Sequence, residues 1–299
     1  MKSLLSVLPF SLLLLGCAAT GGQPAARTGP ASIAARLGTY FQNEGVTIGV
    51  AYRNLGTGAY YFHNEDVSFH AASTMKLPVM MAFFQGVDAG EMRLADPVAV
   101  RNEFQSIVDA SPFALDPKED GDPDLYQAVG GTRPLEELIR RMIVRSSNLA
   151  TNLLIDKIGA SRANDLMRSL GAYRIQVLRG VEDEKAFKAG LNNKVTAKDL
   201  EIALTALVKG ETFTPASNAK MIEILKAQEF NEKIPAYLPK GTPVAHKTGD
   251  ITGVHHDAAI VFPPGEAPYV LVVLTEGFKD EKEANRVIAE ISRQVWQAR

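Results

Sequence analysis

Apolar residues along this chain follow two rhythms, and the two are segregated in sequence. Near the start, Val46-Thr47-Ile48-Gly49-Val50-Ala51-Tyr52 reads as a strand, Asn54-Leu55-Gly56-Thr57-Gly58 as a turn, and Ala59 to Phe62 as the returning strand. Strand patterns return only near the end, at Pro243 to Thr248, Ala258 to Phe262 and Tyr269 to Thr275. Between them the pattern repeats every three to four residues, as on one face of a helix. It predicts helices over Pro134 to Val144, Leu149 to Ile158, Arg162 to Leu170, Ala197 to Val208 and Ser217 to Ala227. From about Arg93 to Val208 nearly everything reads as helical, with polar breaks. Ser32 to Asn43 and Glu281 to Gln297 add an amphipathic helix at each end of the domain. Strands contributed by both ends of the chain imply an α+β sandwich: one antiparallel sheet built from both termini and flanked by helices. The middle would form an all-helical lobe over about residues 93–227, with a cleft at the junction that draws side chains from both parts.

One stretch carries candidate chemistry. In Phe69-His70-Ala71-Ala72-Ser73-Thr74-Met75-Lys76 a serine and a lysine stand three apart, ahead of an apolar run from Leu77 to Phe84 that has the length of a buried helix. Residues three apart share a helix face, so the Ser73 hydroxyl and the Lys76 amine can meet. Serine is a poor nucleophile until a base takes its proton, and a desolvated lysine can be that base. Free N–H groups at the helix start suit a developing oxyanion. Alone, Ser-x-x-Lys is weak: about one chance match is expected in a chain of this length at average usage.

The start of the chain changes the expected compartment. Lys2, the apolar run Leu4 to Leu15, and the ending Leu14-Leu15-Gly16-Cys17 read as an export signal over residues 1–17, too short to span a membrane. Leu-Leu-Gly-Cys resembles a bacterial lipobox. That resemblance implies lipidation of Cys17, with Ala18 permitting sorting to the outer membrane, so that the domain faces the periplasm. Residues 18–30, rich in Gly, Pro and Ala, read as a tether, and residues 31–299 as one catalytic domain. Cys17 is the single cysteine, so no internal disulfide is expected in the mature domain. A net charge of −2 with interspersed signs argues against nucleic acid as a main partner.

Two acidic or histidine-rich segments invite metal readings. Asp116 to Asp124 lacks the spacing of an EF-hand and reads as a solvated loop. In His255-His256-Asp257, neighbours on a strand point to opposite faces, so the histidines do not readily share an ion. No metal and no organic cofactor are expected.

Two further motifs follow Ser73 in order: Arg145-Ser146-Ser147-Asn148-Leu149 at a predicted helix start, and His246-Lys247-Thr248-Gly249-Asp250 at a predicted strand end. With them the chain resembles the serine β-lactamase and penicillin-binding superfamily, closest to the class A β-lactamase-like group, which is marked by Ser-x-x-Lys, Ser-Asp-Asn and Lys-Thr-Gly. The resemblance covers essentially all of residues 31–299. It implies that Ser73 forms an acyl-enzyme with a strained or activated carbonyl and that Lys76 activates it, directly or through water. Ser146 would relay a proton to the departing nitrogen. Asn148 would bond the substrate's acylamide, and Lys247 and Thr248 would hold a substrate carboxylate. The backbone N–H groups of Ser73 and Asp250 would form the oxyanion hole.

Three positions depart from the family pattern. Ser147 replaces the usual aspartate. Asp250 replaces a small residue and sets a carboxylate where the substrate's own carboxylate would lie. In Leu178-Arg179-Gly180-Val181-Glu182-Asp183-Glu184-Lys185-Ala186-Phe187, Glu182 is the candidate deacylating base, with Asp183 and Glu184 as rivals, but Ala186 stands where the family has its water-placing asparagine. The reading is a monomeric, lipid-anchored serine hydrolase that opens β-lactams. The alternatives are the same machinery on a D-Ala-D-Ala peptide or an ester, and a lipoprotein that holds a lactam or peptidoglycan fragment without turnover.

Overall fold

The computed structural model describes residues 29–42 and 44–299. Residues 1–17, read as an export signal ending at Cys17, and residues 18–28 of the expected tether lie outside the described residues. The Gly29 N–H donates to the Ala298 carbonyl and Pro30 opens the first helix, so these two residues of the expected tether pack with the domain.

The first helix, α1 (Pro30–Leu37), runs into a 3-10 turn over Gly38–Gln42 instead of continuing as one helix. Strands β1 (Thr47–Asn54) and β2 (Tyr60–His63) form the expected hairpin. A short strand β3 (Phe69–His70) leads into a 3-10 turn, Ala72–Met75, and then helix α2 (Lys76–Asp88). The segment read as helical from Arg93 is extended instead: β4 (Pro97–Ala99), β5 (Phe104–Gln105), β6 (Pro112–Phe113), a 3-10 turn over Pro123–Ala128, and β7 (Thr132–Pro134). Pro97, Pro112, Pro123 and Pro134 explain the difference, because a proline ring removes the helical N–H and clashes one turn back. Helices follow as predicted, to within about two residues at each end: α3 (Leu135–Val144), α4 (Asn148–Ile158) and α5 (Ala160–Ser169). A short α6 (Glu184–Lys188) and strand β8 (Lys194–Val195) precede α7 (Ala197–Lys209) and α8 (Pro215–Lys226). The chain closes with β9 (Val244–Ile251), β10 (Val254–Val261), β11 (Tyr269–Glu276) and α9 (Glu281–Ala298).

One five-stranded antiparallel sheet, in the order β2-β1-β11-β10-β9, joins the two ends of the chain as the pattern implied. Alternation along β11 sorts its side chains into two cores. Tyr269, Leu271 and Val273 pack with Ile33 and Leu37 of α1 and with Val287, Ile288 and Ile291 of α9. Val270, Val272 and Leu274 face the opposite core, which is shared with α2, α3, α4 and α7. Helix α7, read from sequence as part of the helical lobe, lies against this face of the sheet. Helix α2 is buried nearly all round, from Lys76 to Phe84. Each large apolar side chain it buries contributes roughly 1.5–3 kcal/mol, so α2 is the rigid post from which the Ser73 turn projects.

Candidate active site

Ser73 stands in the 3-10 turn just ahead of α2, not inside the helix itself. The turn is held from several sides. The Ala71 N–H donates to the Asn193 carbonyl at 2.8 Å, and His256 Nε2 donates to the His70 carbonyl at 2.9 Å. His256 is fully buried, and its Nδ1 accepts from the Thr275 N–H, which fixes the neutral tautomer; burial pushes its pKa down to about 4. Ala72 adopts a left-handed φ of 44°, unusual for a residue with a side chain. Gly249 explains the last residue of the Lys-Thr-Gly motif. A Cβ there would sit 3.1 Å from the backbone nitrogens of Ser73 and Thr74, so any side chain would push β9 and the Ser73 turn apart by a few tenths of an ångström.

Behind Ser73, three motifs converge on one hydroxyl. Lys76 Nζ donates to the Ser146 carbonyl at 2.7 Å, to Ser146 Oγ at 3.2 Å and to Asn148 Oδ1 at 2.9 Å. Lys247 Nζ donates to the same Ser146 Oγ at 3.1 Å and to the Thr248 carbonyl at 2.9 Å. Ser146 takes a left-handed φ of 55° to present its side chain between the two amines. Both lysines are fully buried. Burial holds Lys76 down to about 7, against the opposing pull of the Asp120 and Glu182 carboxylates. Lys247 lies well below its usual range, first through burial and then through the neighbouring Lys76 charge. At neutral pH Lys76 is therefore shared between the ammonium, which makes all three of its donations, and a free amine, which gives one up and can accept a proton. An anion arriving beside Lys247 would favour its charged form.

Ser73, Asn148, Glu182 and Asp250 line one cavity of about 340 Å3. Glu182 Oε1 accepts from Asn148 Nδ2 at 2.6 Å, so Asn148 links the carboxylate to Lys76 through the two ends of one amide. Partial burial raises the Glu182 pKa, and the Asn148 bond works against that rise. Glu182 has a left-handed φ of 61°, and its neighbour Val181 is clamped on both backbone groups by Asn152, which accepts from the N–H at 2.6 Å and donates to the carbonyl at 3.0 Å. The rival carboxylates Asp183 and Glu184 also line this cavity, but their oxygens have other partners. Asp183 is buried and accepts from Ser106 Oγ and the Ile107 and Ala186 N–H groups; these bonds outweigh burial and hold its pKa down. Glu184 pairs with Lys188 on the surface.

The beta-lactamase enzyme family matches residues 32–299. The chain belongs to that family. A β-lactamase from Rhodobacter capsulatus is 27% identical over 255 residues, covering 84% of this chain and 83% of that protein. The carbapenem-hydrolyzing β-lactamase KPC of Klebsiella oxytoca is 27% identical over 258 residues, covering 84% of each. Among solved structures, a β-lactamase from Sphaerobacter thermophilus is 31% identical with a TM-score of 0.74, covering 90% of this chain and 95% of that one. The structure of PBP-A is 28% identical with a TM-score of 0.77 over the same shares.

Within this β-lactamase fold, the helix start at Ser147 and the departure at Asp250 draw on partners from elsewhere in the sequence. Ser147 is buried and caps α4, its Oγ accepting from the Ala150 N–H at 3.2 Å. The carboxylate at this helix start is Asp120, which accepts from the N–H groups of Asn148 and Leu149 and from the Tyr126 hydroxyl. Asp122 beside it is fully buried and pairs with Arg141 and Arg145. The segment Asp116 to Asp124, read as a solvated loop, is thus in part a buried brace. Gly121 is required there, since a Cβ would stand 2.3 Å from the Arg145 carbonyl oxygen.

Asp250 is not a free charge. Its Oδ2 accepts from Lys233 Nζ at 2.7 Å and its Oδ1 meets His255 Nδ1 at 2.9 Å. His255, His256 and Asp257 work on three separate partners: His255 on Asp250, His256 on the His70 carbonyl, and Asp257 on His246 and the Ile234 N–H. Among the described residues no group of three or more acidic, histidine or cysteine side chains is arranged to hold a metal ion. Sequence reading missed Asp120, Asn152, Lys233 and His256 as site residues. Only Asn152 left a signal, one helical turn beyond Asn148.

Proposed function

We propose that the chain hydrolyses the β-lactam amide through an acyl-enzyme on Ser73. The observation that carries this reading is the Ser146 hydroxyl held between the buried amines of Lys76 and Lys247, with Lys76 bonded to Asn148, which lines one cavity with Ser73 and Glu182. Lys76, partly neutral near pH 7, takes the Ser73 proton as Oγ attacks the lactam carbonyl. Ser146 Oγ accepts from both lysines, which leaves its own proton free to pass to the lactam nitrogen as the ring opens. The backbone N–H groups of Ser73 and Asp250 serve the oxyanion, Asn148 the acylamide through its second amide hydrogen, and Lys247 with Thr248 the carboxylate. Glu182 then draws a proton from water, which attacks the acyl carbonyl and frees Ser73.

A second reading has an observation of its own. Ala186, where the family places its water-holding asparagine, is fully buried and offers no polar group. With that help missing, the acyl-enzyme would persist and the protein would bind penicillin without turning it over. A variant of PBP-A, similar in fold to this chain, is a solved acyl-enzyme complex with penicillin G. The links from Glu182 through Asn148 to Lys76 support the hydrolytic reading over this one. We also propose that residues 1–17 direct export, that lipid on Cys17 anchors residues 31–299 as a monomer on the periplasmic side of the envelope, and that a peptidoglycan-derived peptide is the alternative substrate.

The test is benzylpenicillin loss with residues 29–299 at catalytic amounts. Consumption of many equivalents, abolished in Ser73→Ala, supports hydrolysis. Consumption of one equivalent supports the persistent acyl-enzyme, and survival of hydrolysis in Ser73→Ala overturns the nucleophile.

A further inference from the structure

The end of the cleft beyond Thr248 holds a charge arrangement that the proposed reaction does not use. Lys233, on the loop between α8 and β9, is buried, with 4% of its side chain exposed, yet its Nζ reaches the cleft at Asp250 Oδ2, 2.7 Å away. His255, 7% exposed, meets the other oxygen at 2.9 Å. Asp250 itself is 38% exposed and lines the cavity together with Ser73 and Glu182. Lys247 lies close enough to feel both the Asp250 and the Lys233 charges. Two buried lysines therefore converge on the end where a substrate carboxylate would be held, and one of them already has a carboxylate in its grasp.

We propose that Asp250 is a specificity-determining residue that occupies Lys233 as a built-in counterion, so that the cleft disfavours ligands bearing a carboxylate at the Lys247 end. The inference rests on the reading of Lys247 and Thr248 as the carboxylate-holding end. A ligand carboxylate near Lys247 meets the Asp250 charge across a partly dry cleft, where like charges several ångströms apart repel appreciably. It also finds Lys233 already paired, and its Nζ can be shared only by loosening the Asp250 bond. An ester or amide at the same place meets neither cost; an amide N–H can donate to Asp250, and an ester can pack beside it. Position 250 thus makes this cleft more tolerant of neutral groups than one with a small residue there.

The test compares acylation by benzylpenicillin and by its methyl ester, followed by intact-protein mass in wild type, Asp250→Asn, Asp250→Ser and Lys233→Gln. Acylation is read because it does not depend on turnover, so a failure of the hydrolytic reading leaves this comparison intact. The acid-to-ester rate ratio is expected to rise about tenfold in both Asp250 variants, since removing the carboxylate raises the local charge by one unit and frees Lys233. In Lys233→Gln, where Asp250 loses its cation, the ratio is expected to fall. Ester acylation in each variant reports that the fold is intact. An unchanged ratio in Asp250→Asn and Asp250→Ser overturns the proposal. Should wild type form no adduct with either compound, the lactam reading fails. An adduct with the free acid that appears only in the Asp250 variants would then support the counterion role, and no adduct there would overturn it.

Discussion

At the floor of the cleft, Ser73, Lys76, Ser146 and Lys247 come from three short motifs; the two lysines bond directly to Ser146, and Ser73 lines the cavity. At its two ends, Glu182 and Asp250 depend on residues far away in sequence: Glu182 on Asn148 and Asn152, Asp250 on Lys233 and His255. The floor is buried, and its chemistry follows from removing two amines from water around one hydroxyl. The ends are open to solvent, and their chemistry follows from which partner the surrounding loops bring in. A buried constellation leaves little freedom in residue type. An open carboxylate can be retuned by any nearby loop.

The largest expected effects are on the floor. Ser73→Ala is expected to abolish covalent labelling by a penicillin, read as the absence of a mass adduct; an adduct at full stoichiometry would place the nucleophile elsewhere. Lys76→Arg follows, because a guanidinium stays protonated and cannot act as a base. Acylation is expected to fall by roughly 10²–10⁴. In the wild type, acylation should climb as pH rises through about 7, where the Lys76 amine becomes free. A flat acylation rate between pH 5.5 and 8.5 would remove Lys76 from the proton transfer.

A smaller effect probes the support behind the nucleophile turn. His256 is held neutral, with its pKa lowered from 6.5 to about 4, so the unfolded chain binds a proton there before the folded one does. Its contribution is complete above about pH 6.5 and is lost as pH falls toward about 4, worth roughly 3 kcal/mol across that window. His256→Gln should therefore be destabilised at pH 7.5, with the deficit shrinking on acidification, as measured by urea denaturation at several pH values. A deficit independent of pH would mean that His256 acts by packing alone.

The same contrast governs what the sequence shows by itself. The sheet from both termini, the buried α2 and the amphipathic α9 are legible because each repeats its period over a whole element. Residues 93–134 are not, because brief extended pairs around Pro97, Pro112 and Pro134 are too short to establish a period. The Ser73 and Lys76 pair and the Ser146 turn are legible as local spacings. Asp120, Lys233 and His256 are not, because each meets the site across a long stretch of chain: His256 lies 186 residues from the carbonyl it holds. An acidic run such as Asp116 to Asp124 has the composition of a surface loop, and only the fold shows that Arg141 and Arg145 hold its Asp122 carboxylate inward.

The claim that floor and rim together make a turnover enzyme is tested most directly by the intact mass of the wild type and Glu182→Ala, followed in time after mixing with benzylpenicillin. The account predicts a transient adduct in the wild type that decays as penicillin is consumed. In Glu182→Ala it predicts an adduct formed at a similar rate but released at least about a hundredfold more slowly. Equal release from the two proteins would contradict the assignment of Glu182 as the deacylating base.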